Sequence, residues 1–387
     1  MKRLCKDIDI TDRDLISRAV YECLDRKYKR NDTMRYMSQI TGIKEGYIRC
    51  IYHRYGKRAM YPITEIIVTE LREELLRGNI SFPPIYYREK IDVSSRKIRR
   101  IGIQNVKQQL YDYITVEALK PVLKRIGEYQ YASIKGRGTT KGKEVISRWI
   151  RNRDMRYFVK LDVRKCFESI DHGKMMEFLR RRVKNEPLLH LIETMLGSFE
   201  RGLSIGSYLS QYLCNLYMSI LYHEIKENMC RTRKGKRGNK RGNKRVNLVR
   251  HCLIYMDDIL LIGQRKRDLE KAAKLTVRKA SEMGLEIKPN YQVRRIDGNC
   301  IDMLGFKIYR THTEIRGRTF LRVRRSFRRA RKRLTEGVAR KCLSYYGYLK
   351  HTNSRRFQRK WKVRRTIKKC KGVIRNESKI YGTAAAG

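Results

Sequence analysis

The run His251-Cys252-Leu253-Ile254-Tyr255-Met256-Asp257-Asp258-Ile259-Leu260-Leu261-Ile262-Gly263 constrains this chain more than any other stretch. Two short apolar segments rich in Ile and Leu meet at a pair of adjacent carboxylates. The segments predict two mostly buried strands, and the Asp-Asp step predicts the tight turn between them. An Asp-Asp turn exposed to solvent is common. Carboxylates beside a buried surface are costly when unpaired, so such a pair is expected to face cations or a metal ion. The turn alone leaves both readings open, and the residues upstream decide between them.

Charge narrows the partners. The 387 residues carry 92 Lys and Arg against 39 Asp and Glu, a formal charge of +53. That excess is larger than solubility requires and points to a polyanion. With 25 Tyr and 2 Trp, and basic residues along the whole length, nucleic acid is favoured over a membrane surface. No apolar run is long enough to span a bilayer, and no signal-peptide pattern follows Met1-Lys2-Arg3. The ten Cys are scattered without a C-x-x-C pair, which indicates neither a zinc site nor a disulfide framework. Cys166, Cys214 and Cys252 lie in apolar segments and read as small core residues. A reducing, cytoplasmic setting is expected. The length suits two or three subdomains.

In chain order, residues 1 to about 80 carry helical spacing, as in Ile40, Ile43, Tyr47, Ile48 and Ile51, and again in Ile63, Ile66, Ile67, Leu71 and Leu75. Thr11 and Asp12 are both able to cap the first helix. Gly42 allows a helix-turn-helix from Met34 to Tyr55; the alternative is a helical extension packed on the next domain or on RNA. Pro83-Pro84 starts a new region, in which residues 96–103 predict a strand with one buried face and Lys97 and Arg99 on the other. That outer face is either a solvated basic edge or a cradle for a triphosphate. A helix is expected over Val106–Leu119, with Pro121 breaking the chain before Val122–Ile126. The Gly-rich loop Ser133–Thr140 can bring Arg137 to phosphates, although it matches no phosphate-loop pattern.

Phe158–Val163 predicts a buried strand with Asp162 near its end, a lone carboxylate among apolar neighbours. Asp171 and His172 suit a helix cap rather than catalysis. Gly202–Gln211, small and polar, leads into a helix expected over Tyr212–Ile225 and lets a template or nucleotide approach the backbone. Arg231–Arg245 is a basic low-complexity insertion, expected to be flexible, whose Lys234, Lys236, Arg237, Lys240 and Arg241 are candidates for phosphate contacts. Leu269–Met283 is helical and ends at Gly284; Ile301–Tyr309 is a second hairpin-like strand. From Arg322 to Lys371 a basic helical tail interleaves Tyr345, Tyr346, Tyr348, Phe357 and Trp361 with its charges, as a nucleic-acid surface does.

Asp162, Asp257 and Asp258 therefore form a set able to hold two divalent ions about 3.5–4 Å apart. With this basic chain, nucleotidyl transfer is the expected reaction. At residues 90–365 the sequence resembles the reverse transcriptases, on motifs in the family's order: Lys97-Ile98-Arg99, Asp162 to Phe167, Gly206 to Gln211, Tyr255-Met256-Asp257-Asp258, Gly284-Leu285 with Lys288, and Leu304-Gly305-Phe306. The resemblance implies an α+β right-handed polymerase fold: a helical N-terminal extension (1–85), fingers (86–157), a palm (158–310, with the insertion 231–245) and a helical thumb and tail (311–387). It implies metal binding by Asp162, Asp257, Asp258 and the Val163 carbonyl, with two Mg²⁺, or Mn²⁺ in their place. It puts Lys97, Arg99, Gln211 and Lys288 at the nucleotide and Phe167 under its sugar, where a ring excludes a 2′-hydroxyl. Leu304, Gly305 and Phe306 would grip the primer. The implied partners are an RNA template, a DNA or RNA primer and deoxynucleoside triphosphates.

Gly206-Ser207-Tyr208-Leu209-Ser210-Gln211 looks like the form found in diversity-generating retroelement enzymes, and Ser344–His351 is similar to their thumb. The N-terminal region and the insertion depart from that branch and suit a bacterial defence enzyme working with a structured non-coding RNA and an accessory protein. No ribonuclease H, endonuclease or integrase region is expected in the remaining length. A non-catalytic RNA-binding protein of polymerase shape is the reading from another class, and the intact carboxylates oppose it.

Overall fold

Asp12 opens the first helix. In this computed structural model, which describes residues 3–91, 98–233 and 244–383 (without the side chains of 233, 244 and 376–383), its carboxylate accepts from the Asp14 and Leu15 amides. Helix α1 runs Arg13–Leu24, and Thr11 instead donates to Asp9. Helix α2 (Asn31–Thr41) ends at Gly42, whose φ of 70° is the left-handed value that glycine adopts without strain. Helix α3 (Glu45–Tyr55) follows directly, so 34–55 does hold two helices joined by a tight turn. Helix α4 (Tyr61–Arg77) buries Ile63, Ile67, Val68, Leu71 and Leu75, while Ile66 faces solvent.

Strands β1 (Tyr86–Ile91) and β2 (Ile98–Ile103) pair antiparallel, Tyr86 opposite Ile103 and Ile91 opposite Ile98. The face expected to be buried is mostly exposed: Ile98 is 64% exposed and Arg100 is exposed, and Gly102 alone of the three is buried. A two-stranded ribbon has no further layer to cover it, and it is anchored through backbone instead. The Gly102 amide donates to the Ile205 carbonyl at 2.9 Å, and a Cβ at Gly102 would lie 2.1 Å from Ser204 Oγ.

Asn105 and Gln108 form a reciprocal capping box at the start of α5 (Val106–Ala118). The expected break is present: α5 ends at Ala118, and after Leu119 the chain starts the short helix α6 (Lys120–Leu123) with Pro121 in its first turn, where a missing N–H costs nothing. Next come α7 (Thr139–Arg151), β3 (Tyr157–Asp162), α8 (Cys166–Ser169), α9 (His172–Arg180, capped by Asp171) and α10 (Glu186–Gly197, capped by Asn185). Helix α11 spans Tyr208–His223 and so begins ahead of the expected Tyr212. Ser207 Oγ accepts from the Ser210 amide, while Asp112 of α5 accepts from the Ser207 hydroxyl and the Tyr208 amide. That cap comes from a residue 96 positions away, which no local pattern reveals.

Strands β4 (Cys230–Arg233) and β5 (Lys244–Asn247) form an antiparallel hairpin whose ends bracket residues 234–243. Then follow β6 (His251–Tyr255), β7 (Asp258–Gly263), α12 (Lys266–Glu282), β8 (Arg294–Arg295), β9 (Ile301–Met303), β10 (Phe306–Ile308) and β11 (Thr313–Ile315). The basic tail is four helices: α13 (Gly317–Lys332), α14 (Glu336–Lys350), α15 (Arg355–Lys360) and α16 (Val363–Thr383).

The chain forms two compact units. The first comprises Met1–Ser133, Val163–His223 and Val277–Lys288; α5 lies at its centre, packed on α1 and α11 with Leu110, Tyr111 and Ile114 fully buried. The thiols of Cys166 and Cys214 are buried here, Sγ atoms 3.8 Å apart. The second comprises Ile134–Asp162, Glu224–Thr276 and Pro289–Gly387. It holds an antiparallel sheet in the order β6-β7-β3-β8 and a second one in the order β11-β10-β9. Its basic helices fold around Val323, Phe327, Ala339, Cys342, Leu349, Val363, Ile367 and Cys370. Burial of each large side chain contributes roughly 1.5–3 kcal/mol, which lets so charged a sequence condense. The fold is α+β with antiparallel sheets. Among the described residues no helix is long and apolar enough to cross a membrane.

Candidate active site

Strand β7 lies between β6 and β3 and is apolar from Ile259 to Ile262, all fully buried. Four consecutive buried residues mean that both faces of β7 are covered, so a one-residue slip would move every Ile and Leu to the opposite packed face and disturb the fit on both. On the β3 side the register runs from Tyr157 opposite Gly263 to Asp162 opposite Asp258. On the β6 side Tyr255 lies opposite Asp258, leaving Met256 and Asp257 as the turn. Met256 has φ of 52°, a left-handed value that costs a long side chain free energy. The sheet thus places Asp162 and Asp258 as cross-strand neighbours, with Asp257 adjoining. Like charges in that arrangement repel.

Electrostatics show the crowding. Burial, then the charge of Asp258 and more weakly that of Asp162, hold the Asp257 carboxyl above the usual carboxylate range, although its outer edge meets solvent. Asp258 is also raised, by burial and by Asp162, against the opposing pull of Lys160. The Lys160 ammonium lies 2.7 Å from Asp258 Oδ1 and 3.4 Å from the Asp302 carbonyl oxygen. Arg316 in turn pairs with the Asp302 carboxylate. Lys160 was not among the residues the sequence singled out. Its signal was the two-residue spacing from Asp162, which puts both on one face of β3.

All three candidate ligands offer hard carboxylate oxygens, with the Val163 carbonyl next in the chain, a donor set suited to Mg²⁺ or Mn²⁺. Among the described residues no group of three or more His, Cys, Asp and Glu side chains is drawn together as a finished ligand set. Lys160 supplies the positive charge beside Asp258 instead. The donors fit a hard divalent ion in kind, and the raised carboxyls are those that a cation would relieve.

The remaining candidates are distributed as follows. Leu304 and Gly305 form the turn between β9 and β10 with φ of 60° and 86°. Phe306 is buried with its ring 5.4 Å from Tyr348, and a Cβ at Gly305 would come within 3.0 Å of that tyrosine. Arg137 closes a short turn, its amide donating to the Ile134 carbonyl. In the first unit, Val163 is buried and bridges Ile287, and Lys288 beside it is half-buried. Phe167 is half-buried in α8, and its carbonyl accepts from the Leu203 amide. Gln211 is half-buried in the first turn of α11. Arg99 is exposed on β2; its neighbour Arg100 is engaged by Glu200 at 2.6 Å and lies 4.1 Å over the Tyr87 ring. Lys97, Lys234, Lys236, Arg237, Lys240 and Arg241 lie outside the described residues.

Asp112 is a further residue that the sequence reading passed over. It is fully buried, accepts from Ser207, Tyr208 and Gln104, and fixes the Gly206–Gln211 segment. Burial pushes its carboxyl up to about 6. The available signal was a lone Asp amid Leu110, Tyr111, Ile114 and Val116.

Residues 89–308 match the reverse transcriptase (RNA-dependent DNA polymerase) family. The chain belongs to that family. This reverse transcriptase is 21% identical over 257 residues to the putative COX1/OXI3 intron 1 protein of Saccharomyces cerevisiae, covering 60% of the chain and 30% of that protein. It is 29% identical over 76 residues to the putative COX1/OXI3 intron 2 protein of the same yeast, 17% of the chain and 9% of that protein. It thus spans less than a third of the length of either relative. Among solved structures it is similar to telomerase from Candida tropicalis in complex with a fragment of telomeric RNA, at 11% identity and a TM-score of 0.44, covering 85% of the chain and 62% of the telomerase. The apo telomerase matches at 11% identity and a TM-score of 0.42, covering 80% and 67%.

Proposed function

We propose that this reverse transcriptase is an active RNA-directed DNA polymerase that extends a DNA or RNA primer on an RNA template with deoxynucleoside triphosphates. The observation that carries the reading is the register placing Asp162 opposite Asp258 with Asp257 in the adjoining turn, inside the segment that matches the family. Asp162, Asp257, Asp258 and the Val163 carbonyl would hold two Mg²⁺, with Mn²⁺ able to replace them. Bound there, the ions supply Lewis-acid charge for the primer 3′-hydroxyl and the leaving pyrophosphate. Lys97, Arg99, Gln211 and Lys288 serve the incoming nucleotide, Phe167 excludes the 2′-hydroxyl, and the Leu304–Phe306 turn grips the primer. In this reading 86–157 are fingers, 158–310 palm, 311–387 thumb and tail, and 1–85 an N-terminal extension.

Within the family, the Gly206–Gln211 segment and Ser344–His351 favour a diversity-generating retroelement enzyme. The N-terminal helices favour the second reading, a defence enzyme working in the cytoplasm with a structured non-coding RNA and an accessory protein. Neighbouring DNA separates the two: a template–variable repeat pair supports the first, and a structured RNA gene in a defence locus the second. The catalytic claim is tested by primer extension with Mg²⁺. Asp257→Asn and Asp162→Asn should each abolish extension and leave RNA binding largely intact. Full extension by either variant would remove the two-metal assignment, whereas no extension by the intact protein would return the chain to the reading of a non-catalytic RNA-binding protein with a polymerase fold.

A further inference from the structure

At the end of β3 away from Asp162, the second unit contains a cavity of about 1000 Å³. Its walls come from α7, the β10–β11 connection and the α14–α15 region. Arg310 rivets the walls together: its guanidinium donates to the carbonyls of Asn152 and Met155 at 2.9 and 2.8 Å, and pairs with Asp297 at 2.6 Å. Those carbonyls lead into Tyr157, the first residue of β3. Five residues of strand then separate this end from Asp162, about 17 Å at the usual rise. The cavity is therefore not the carboxylate site.

Its lining is cationic. Arg148, Arg151, Lys350, Arg355, Arg356 and Arg364 face it, and the carboxylate in the lining is Glu144. Among the described residues none of those six cations makes an ion pair with a carboxylate. Two more basic groups feel the excess: burial, with Arg151 nearby, lowers Lys143, and burial, with Lys143 nearby, lowers His351. Tyr309 and His312 stack on the same wall, ring centroids 4.5 Å apart and nearly parallel at 8°. Small-molecule sites of about 300–1,000 Å³ are lined mainly by apolar groups, and this one is not. Cations along a groove with an aromatic pair in the wall are what a single nucleic-acid strand needs: charge for phosphates and a flat face for a base.

We propose that this groove binds a single-stranded segment of RNA outside the copied region, so that the protein holds its template RNA at a second place remote from the carboxylates. The groove rests on the polymerase reading for the identity of its RNA, but its existence does not require catalysis.

The test compares the intact protein with Arg148→Gln/Arg151→Gln, residues remote from the carboxylates. Binding of a long single-stranded RNA is titrated against salt, and single-nucleotide incorporation is measured on a short RNA–DNA hybrid with one overhanging template base. The log–log salt slope should become shallower by about 1.4, two phosphate contacts at about 0.7 each, with incorporation unchanged. Arg148→Lys/Arg151→Lys should restore the slope, which separates lost charge from misfolding. An unchanged slope would leave the wall an ordinary solvated face, and equal loss of slope and incorporation would make it part of the primer–template track; either result overturns the proposal. Tyr309→Ala should weaken RNA binding and spare inorganic polyphosphate binding; equal loss for both would mean an anion sink only. If the intact protein extends no primer while the slope results hold, the polymerase reading fails and the groove stands.

Discussion

Asp112 shows what a single buried carboxyl does in this chain. Burial pushes it up to about 6, above the 3.8 of an ordinary Asp. Between those pH values the unfolded chain has released a proton that the native state keeps, so native stability falls as pH rises through the window and levels off above it. The contribution lost is on the order of 3 kcal/mol. Asp112→Asn retains an acceptor for Ser207 and Tyr208, and Gln104 can turn its amide to match. Urea midpoints of the intact protein minus those of the variant should therefore decline from about pH 4 to about pH 6; parallel curves would show that the group never titrates there. Phe167 supports a second prediction. Phe167→Ala should raise ribonucleotide relative to deoxynucleotide incorporation, and unchanged discrimination in single-nucleotide assays would move the sugar gate elsewhere. Asp257 and Asp258 were legible in the sequence because two carboxylates between Ile- and Leu-rich runs are a local anomaly. Asp112 and Lys160 were not, because each acts on residues brought to it by the fold.

Among the elements, the helices and the central hairpin follow from period and caps, and the misreadings share one cause. The exposed β2 ribbon and the early start of α11 both depend on partners beyond the local pattern. The ribbon and the α11 loop meet through backbone. Gly206 has φ of 130°, and a Cβ there would lie 2.4 Å from the Gly102 carbonyl oxygen. Gly206→Ala is thus both strained and obstructed, and should cost about 1–3 kcal/mol or more. The expected readouts are a lower urea midpoint and faster hydrogen exchange at the Gly102 amide, which is bonded to Ile205. Normal exchange with a normal midpoint would mean that the ribbon does not depend on this contact.

On the scale of the whole molecule, a charge of +53 over 387 residues makes RNA affinity a question of how many phosphates are neutralised and by which segments. Composition made the polyanion legible but not its path, because a basic stripe and a scattered basic surface have the same counts. The hairpin formed by β4 and β5 offers a clean way to ask. Arg233 and Lys244 are its terminal cross-strand pair, so residues 234–243 can be replaced by an Asn-Gly turn, a connection that suits two paired strands. The replacement removes Lys234, Lys236, Arg237, Lys240 and Arg241 while retaining the described hairpin. If these side chains dock on phosphates, the log–log salt slope should become shallower by about 0.7–0.9 per lost contact, several contacts in all. Binding should then weaken to a similar degree on unrelated RNAs, since phosphates carry no sequence. Extension on a saturating template should persist, because Asp162, Asp257 and Asp258 lie outside this hairpin. If the segment is instead a solvated loop that attracts RNA only at long range, the slope should change by much less than one contact per removed cation, because no counterion-releasing contact has been lost. Titrations on two unrelated RNAs distinguish the cases: an unchanged slope ends the docking idea, and a loss confined to one RNA makes residues 234–243 a specificity element.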